Sequence, residues 1–248
     1  MSIEGGIDVI DELRQLIRSS GNIVFFGGAG VSTESGIPDF RSVEGLYSQE
    51  YDYPPETILS HGFFTRHPDK FYTFYKKKMI FPDARPNAAH LALARMEEDG
   101  RLKAVITQNI DGLHQAAGSR NVLELHGSVH RSYCAACGKS HPLDRTLAAT
   151  GVPRCDCGGV IKPDVVLYGE PLPDDILRSA IEYIRQADLL IVGGTSLCVY
   201  PAAGLIDHYR GSKLVLINRT ATNADGQAAL CIREPIGETL GKAYPGSI

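Results

Sequence analysis

Asn22-Ile-Val-Phe-Phe-Gly27-Gly28-Ala29-Gly30-Val31-Ser32-Thr33-Glu34-Ser35-Gly36-Ile37-Pro38-Asp39-Phe40-Arg41 is the stretch that decides the fold. Ile23 to Phe26 reads as a short buried strand, and it runs into a glycine-rich loop. Glycine carries no side chain, so such a loop lets backbone N–H groups approach a phosphate closely. A dinucleotide site is the first expectation. The spacing is not that of an ordinary dehydrogenase. Gly28-x-Gly30 is followed by five residues before Gly36, where the usual fingerprint has two. No acidic residue ends a clear second strand about 20 residues on, where a dehydrogenase would hold its adenosine ribose. Tyr47 to Pro55 is instead rich in tyrosine and proline. The expectation is a chain that binds a dinucleotide without the dehydrogenase ribose contact.

Working outward, other apolar runs end in small or polar residues. Ala104–Ile106 ends at Thr107-Gln108-Asn109, and Val122–Leu125 ends at His126-Gly127. Leu189–Val192 ends at Gly193-Gly194-Thr195-Ser196, and Leu214–Ile217 ends at Asn218. Near-continuous apolar runs fit strands covered on both faces, as in a parallel sheet. Helical segments alternate with them: Asp8–Arg18, Asn87–Asp99, Asp174–Ala187 and Pro201–Tyr209. Asn87 is a good capping residue, and Gly100 is a stop. Alternation of this kind predicts an α/β fold with a doubly wound parallel sheet of Rossmann type. Ligands bind such sheets beyond the carboxyl ends of the strands, so all the polar strand ends would gather at one crevice.

Two segments break the rhythm, the aromatic stretch 42–84 and the cysteine-bearing stretch 128–160. Cys134-x2-Cys137 and Cys155-x-Cys157 are separated by seventeen residues. Two close pairs at this separation point to tetrahedral Zn²⁺ held by four thiolates, a closed and therefore structural site. His130 and His141 lie nearby and could replace a cysteine; four thiolates are the simpler set. Cys198 and Cys231 stand alone.

The chain has 248 residues, 43% of them hydrophobic, enough for one large domain with a smaller insertion. A net charge of −4 disfavours nucleic acid as a partner. Lys76-Lys77-Lys78 is the one basic run and reads as a solvated helix face. With no run of 18 apolar residues and no signal-type start, no membrane partner and a cytoplasmic location are expected.

Taken together, Gly28 to Arg41, Thr107-Gln-Asn-Ile-Asp-Gly-Leu-His114, His126-Gly127, the cysteine pairs, Gly194-Thr-Ser196 and Ile217-Asn218 resemble a known family in their order. The chain resembles the sirtuins, and among them the bacterial NAD-dependent protein lysine deacetylases. The resemblance covers nearly the whole length. It implies a Rossmann-type NAD-binding domain from 1–41, 85–127 and 161–248. A helical module, 42–84, and a zinc-binding module, 128–160, would form the small domain. It also implies that NAD is consumed: the acyl oxygen of an acyl-lysine attacks the ribose carbon, nicotinamide leaves, and an alkylamidate forms. A histidine then activates a ribose hydroxyl, giving free lysine and O-acetyl-ADP-ribose.

By the same resemblance, His126 is the general base. Asn109 and Asp111 belong to the nicotinamide pocket, with Ile110 packed on the ring and Gln108 at the ribose. Phe40 shields the reacting carbon. Gly28, Ala29, Thr33 and Arg41 meet the pyrophosphate. Gly194, Thr195, Ser196 and Asn218 bind the adenosine side, with Cys231 and Ile232 at the adenine. Val165, Val166, Leu167, Tyr168 and Gly169, with Val199 opposite, would bind the acetyl-lysine peptide as an added strand. Two departures stand out. The second cysteine pair is Cys-x-Cys where many relatives have Cys-x2-Cys. Tyr72 and Tyr75 occupy the place where succinyl-selective members carry Tyr-x-x-Arg. A buried succinyl carboxylate would lack its bidentate partner, so uncharged acyl groups are expected. A mono-ADP-ribosyltransferase on the same scaffold, and a non-catalytic NAD or ADP-ribose sensor, are the alternative readings.

Overall fold

The structure, a computed structural model, describes residues 8–40, 45–46 and 52–246. Arg41 lies outside them. Six strands form the main sheet: β1 Ile23–Gly27, β2 Leu102–Thr107, β3 Val122–Glu124, β7 Leu189–Gly193, β8 Leu214–Ile217 and β9 Leu230–Ile232. Their order is β3-β2-β1-β7-β8-β9, and every pairing is parallel. The chain winds outward from β1 to β3, then returns to build the other half from β7, which is the doubly wound arrangement. The switch point between β1 and β7 is where such sheets bind ligands.

Apolar residues on alternate positions explain the two covered faces. Ile23, Phe25, Val105, Ile191 and Val215 pack against α1 (Val9–Arg18), α5 (Ala88–Glu98) and α9 (Ile236–Ala243). Val24, Phe26, Ile106, Leu190 and Leu216 pack on the other side against α8 (Asp174–Gln186) and the segment Ala202–His208. Asp8 caps α1, its carboxylate accepting from the Ile10 N–H. Asn87 and His90 form a capping box on α5.

The two excursions build the rest. α2 (Pro55–Ile58), α3 (His61–Arg66) and α4 (Pro68–Lys78) carry an aromatic cluster in which the Phe71 and Tyr75 rings stack, with centroids 5.4 Å apart. A three-stranded antiparallel sheet, β5-β4-β6, is formed by β4 (Gly127–Cys134), β5 (Ser140–Pro142) and β6 (Ile161–Val165). α6 (Leu113–Ala116) follows β2, and α7 (Leu143–Ala148) follows β5. Val129 and Val165 of this sheet share one apolar cluster with Phe63, Phe71 and Tyr75, so the excursions pack on each other. β6 pairs with β4, so the small sheet runs to Val165, past the boundary expected at 160.

Several features differ from expectation. Pro201–Tyr209 is a 3-10 segment, Ala202–His208, and not an α-helix. β9 and α9 have no strong apolar run to announce them; β9 is three residues long and is defined by its pairing with β8. Lys76 is not a purely solvated cation, because its ammonium donates to the carbonyls of Ala149 and Gly151 and ties α4 to the cysteine-bearing segment.

Candidate active site

A cavity of about 780 Å³ opens at the carboxyl ends of β1, β2, β7 and β8 and runs beneath the small sheet. The glycine loop after β1 meets the loop after β7 at one edge. The Gly30 N–H donates to the Gly194 carbonyl at 2.8 Å. A Cβ at Gly30 would lie 2.8 Å from the Gly194 Cα, and one at Gly194 would lie 2.3 Å from the Val31 nitrogen. Gly194 also has φ +60°. Only glycine lets these backbones touch.

Behind that contact, side chains hold the strand ends together. The Asn218 side-chain oxygen, Oδ1, accepts from the Thr195 N–H at 2.9 Å, and Gln108 Nε2 donates to Thr195 Oγ1 at 3.1 Å. Asn218 Nδ2 is buried with no hydrogen-bond partner among the described residues, a donor left beside the cavity that Asn218 lines. Buried donors cost stability unless they are satisfied, so this one fits a polar ligand group such as a nucleoside oxygen. The donor set suits an NAD-like molecule.

Ser32, buried and not singled out by the sequence reading, bridges the two residues of the next strand end. Its hydroxyl donates to Asp111 Oδ2 at 2.6 Å and accepts from Asn109 Nδ2 at 3.1 Å. Asp111 Oδ1 accepts from the Leu113 N–H at 2.9 Å. The signal was present, a hydroxyl two residues after Gly30, but the partnership spans 79 residues and needs the fold.

His126 sits at the joint between the sheets, after β3 and before β4. Its Nδ1 lies 2.9 Å from the Gln108 carbonyl. A carbonyl only accepts, so Nδ1 carries the proton and Nε2 keeps the lone pair. Burial holds the imidazole pKa below its ordinary value, with the Gln108 carbonyl opposing that shift. Gly127 must follow: φ is +74°, and a Cβ there would lie 2.0 Å from the Asp164 carbonyl oxygen.

A family model described as "Sir2 family" matches residues 28–201 of this chain. The chain belongs to the Sir2 family. It is 58% identical over 238 residues to a protein of Clostridium acetobutylicum named NAD-dependent protein deacetylase, covering 94% of this chain and 97% of that one. A Cutibacterium acnes protein of the same name is 56% identical, with 93% and 95% covered. Among solved structures, a complex described as "Sir2-p53 peptide-NAD+" matches with a TM-score of 0.83 and 44% identity, over 93% of this chain and 95% of that one.

Most residues expected at the Sir2 family site do meet at this one cavity. Gly28, Ala29, Thr33, Phe40, Gln108, Asn109, Ile110, Asp111 and His126 line it. So do Gly194, Thr195, Ser196 and Asn218, and, from the peptide-edge set, Val165 to Gly169 with Val199. Cys231 and Ile232 do not line it. The Cys231 thiol points to the Asp225 carbonyl, and Ile232 is buried in the core. Tyr72 and Tyr75 are also absent from the lining; Tyr72 donates to the Ile161 carbonyl deep in the small unit.

The Sir2 family cysteine set is assembled as expected. The four thiol sulfurs of Cys134, Cys137, Cys155 and Cys157 lie within 4.8 Å of one another. Cys134 and Cys157 sulfurs are 3.5 Å apart, and those of Cys137 and Cys155 are 3.8 Å apart. A tetrahedron with Zn–S near 2.3 Å has edges of about 3.8 Å, so the set fits Zn²⁺ and is too open for disulfides. The shortened Cys-x-Cys pair reaches the site because the Cys155 N–H donates to the Gly159 carbonyl in a tight turn. Neither histidine joins it: His130 Nε2 donates to the Asp111 carbonyl, and His141 is buried elsewhere. No helix of the described residues is long and apolar enough to cross a membrane.

Proposed function

We propose that this chain is an NAD-dependent protein lysine deacetylase that releases nicotinamide and O-acetyl-ADP-ribose. One observation carries the reading: His126, with its tautomer set by Gln108, lines the same cavity as the dinucleotide loops and the 165–169 edge. The names of the two similar relatives described above support it.

NAD supplies a ribose carbon that loses nicotinamide and accepts the acyl group. The chain's own residues bind, orient and move a proton. The Gly28–Thr33 loop, at the end of a parallel strand, offers N–H groups to the pyrophosphate. Asn218 Nδ2 and Thr195 hold the adenosine side. Asp111 retains acceptor capacity beyond Ser32 and Leu113, since a carboxylate has about four lone-pair sites, and takes the carboxamide of nicotinamide. Phe40 and Ile110 keep water off the reacting carbon. Nε2 of His126 takes the proton of a ribose hydroxyl; a neutral imidazole near working pH suits that step. An extended acetyl-lysine peptide adds along 165–169, opposite Val199.

The cysteine module holds Zn²⁺ in a structural role. The division into a Rossmann-type domain with inserted helical and zinc modules belongs to this reading. So does a cytoplasmic location, which suits thiolates kept reduced.

The test is mass spectrometry of an acetyl-lysine peptide with and without NAD, alongside His126→Ala. NAD-dependent deacetylation with O-acetyl-ADP-ribose, lost in the variant, is the expected result. ADP-ribose attached to protein, with the peptide intact, would replace this reading by a transferase. Absence of any NAD turnover would leave a sensor.

A further inference from the structure

At the 165–169 edge lies a charged cluster, with Glu170 lining the cavity and Lys162 buried outside it. Lys162, on β6, is 6% exposed. Its ammonium donates to the Val165 carbonyl at 2.9 Å, pairs with Glu170 Oε2 at 3.0 Å, and stands 5.6 Å from the Tyr133 ring centroid. Glu170 Oε2 also accepts from the Leu167 N–H at 2.8 Å, and Oε1 meets His61 Nδ1 at 2.8 Å. Burial would raise the Glu170 carboxyl, but Leu167, His61 and Lys162 together hold it below the ordinary carboxylate value.

These bonds, with a few from the backbone, account for the edge almost atom by atom. The Val166 N–H donates to the His126 carbonyl, and the Glu170 N–H closes a turn on the Leu167 carbonyl. Tyr168 is fixed on both sides, its N–H to the Leu59 carbonyl and its carbonyl from the His61 N–H. Val166 lines the cavity, and its carbonyl accepts no backbone hydrogen bond among the described residues. A strand edge gains affinity from being already extended when the ligand arrives, because ordering it then costs nothing further.

We propose that Lys162, Glu170 and His61 are positioning residues for the acyl-peptide: a charged clamp that holds residues 165–169, an extended stretch ending in the turn that Glu170 closes, pre-formed for the peptide, and so sets peptide affinity. Glu170 stands at the cavity wall, whereas Lys162 and His61 lie outside the lining and act on the edge through Glu170. The inference rests on the deacetylase reading for the identity of the ligand, and it predicts an effect on peptide binding separate from NAD binding and from chemistry.

The test uses the whole chain and a fluorescein-labelled acetyl-lysine peptide, with Kd read by anisotropy for the unmodified protein, Glu170→Gln, His61→Ala and the double variant. Loss of a charge-assisted contact predicts a Kd weakened about tenfold in Glu170→Gln and about threefold in His61→Ala. The double variant should be no weaker than Glu170→Gln, since both act through one carboxylate. In turnover assays, kcat at saturating peptide and KM for NAD should stay within about twofold, the pattern of lost uniform binding. An unchanged Kd in folded Glu170→Gln, or a parallel rise in KM for NAD, overturns the clamp. Should that variant fail to fold, His61→Ala decides, because its side chain is 56% exposed and an unchanged Kd there is equally fatal. Peptide binding by the unmodified protein without turnover would defeat the deacetylase reading alone; no peptide binding at all would defeat both.

Discussion

His114→Leu should make the protein more resistant to mild acid. His90 and His114 are fully buried, with ring centroids 4.7 Å apart. His90 Nδ1 accepts from the Asn87 N–H; among the described residues its buried Nε2 has no hydrogen-bond partner, and neither ring nitrogen of His114 has one. Burial drives the His114 pKa down to about 3, with His90 adding to the shift, and drives His90 down to about 4, against the pull of Asp111. Both folded values lie below the ordinary imidazole value. The unfolded chain therefore takes up protons first as the pH falls. Stability is full above about pH 6.5 and is lost progressively towards the folded values. Between neutrality and roughly pH 5, each histidine withdraws about 2 kcal/mol, so the pair withdraws about 4 kcal/mol, a large part of a typical domain's stability. Leucine at 114 removes one of these contributions and two unpartnered buried nitrogens. Urea denaturation followed by circular dichroism at pH 7 and near pH 5 should show the variant losing about 2 kcal/mol less than the unmodified protein. Equal losses in the two proteins would refute the buried-pair argument.

Further expectations concern the site and its scaffold. Because burial holds the His126 imidazole below its ordinary value, its base form prevails at neutral pH; activity should fall on the acid side of that pKa, and His126→Ala should lose about 10²- to 10⁴-fold in kcat, measured by peptide mass spectrometry. Ser32→Ala unbridges Asn109 and Asp111 and should lower kcat/KM about tenfold or more without unfolding, seen in a nicotinamide-release assay. Cys137→Ala should lose stoichiometric zinc by metal analysis and melt the small sheet, as chelation should in the unmodified protein. A succinyl-lysine peptide should be turned over more slowly than the acetyl peptide, because the Tyr-x-x-Arg of succinyl-selective relatives is Tyr72-Thr-Phe-Tyr75 here and neither tyrosine lines the cavity; a faster succinyl rate would contradict it.

Local order explains what could be read without coordinates. The five apolar runs became β1, β2, β3, β7 and β8; β1, β7 and β8 are buried throughout and apolar along their whole length, whereas β3, at the sheet edge, is half-buried and admits Glu124. Asn87 announced α5, and the cysteine pairs announced a metal module, because capping and ligand spacing are set by neighbours in sequence. Where the signal was short or borrowed, reading failed. β9 is a strand only by virtue of β8, and Ala202–His208 wound tighter than its composition suggested.

The sequence by itself determined the doubly wound class, the strand ends that carry polar groups and the four sulfurs, and its family resemblance pointed to His126 as a candidate base. The tertiary structure alone decided how these groups act. It gave His126 its tautomer through Gln108, joined Asp111 to Asn109 through Ser32, and kept Cys231, Tyr72 and Tyr75 out of the cavity lining. It also set Lys162, Glu170 and His61 behind one short strand edge. The reason is that periodicity and spacing are local properties of a chain, whereas burial, protonation and hydrogen-bond partnership belong to groups brought together across it.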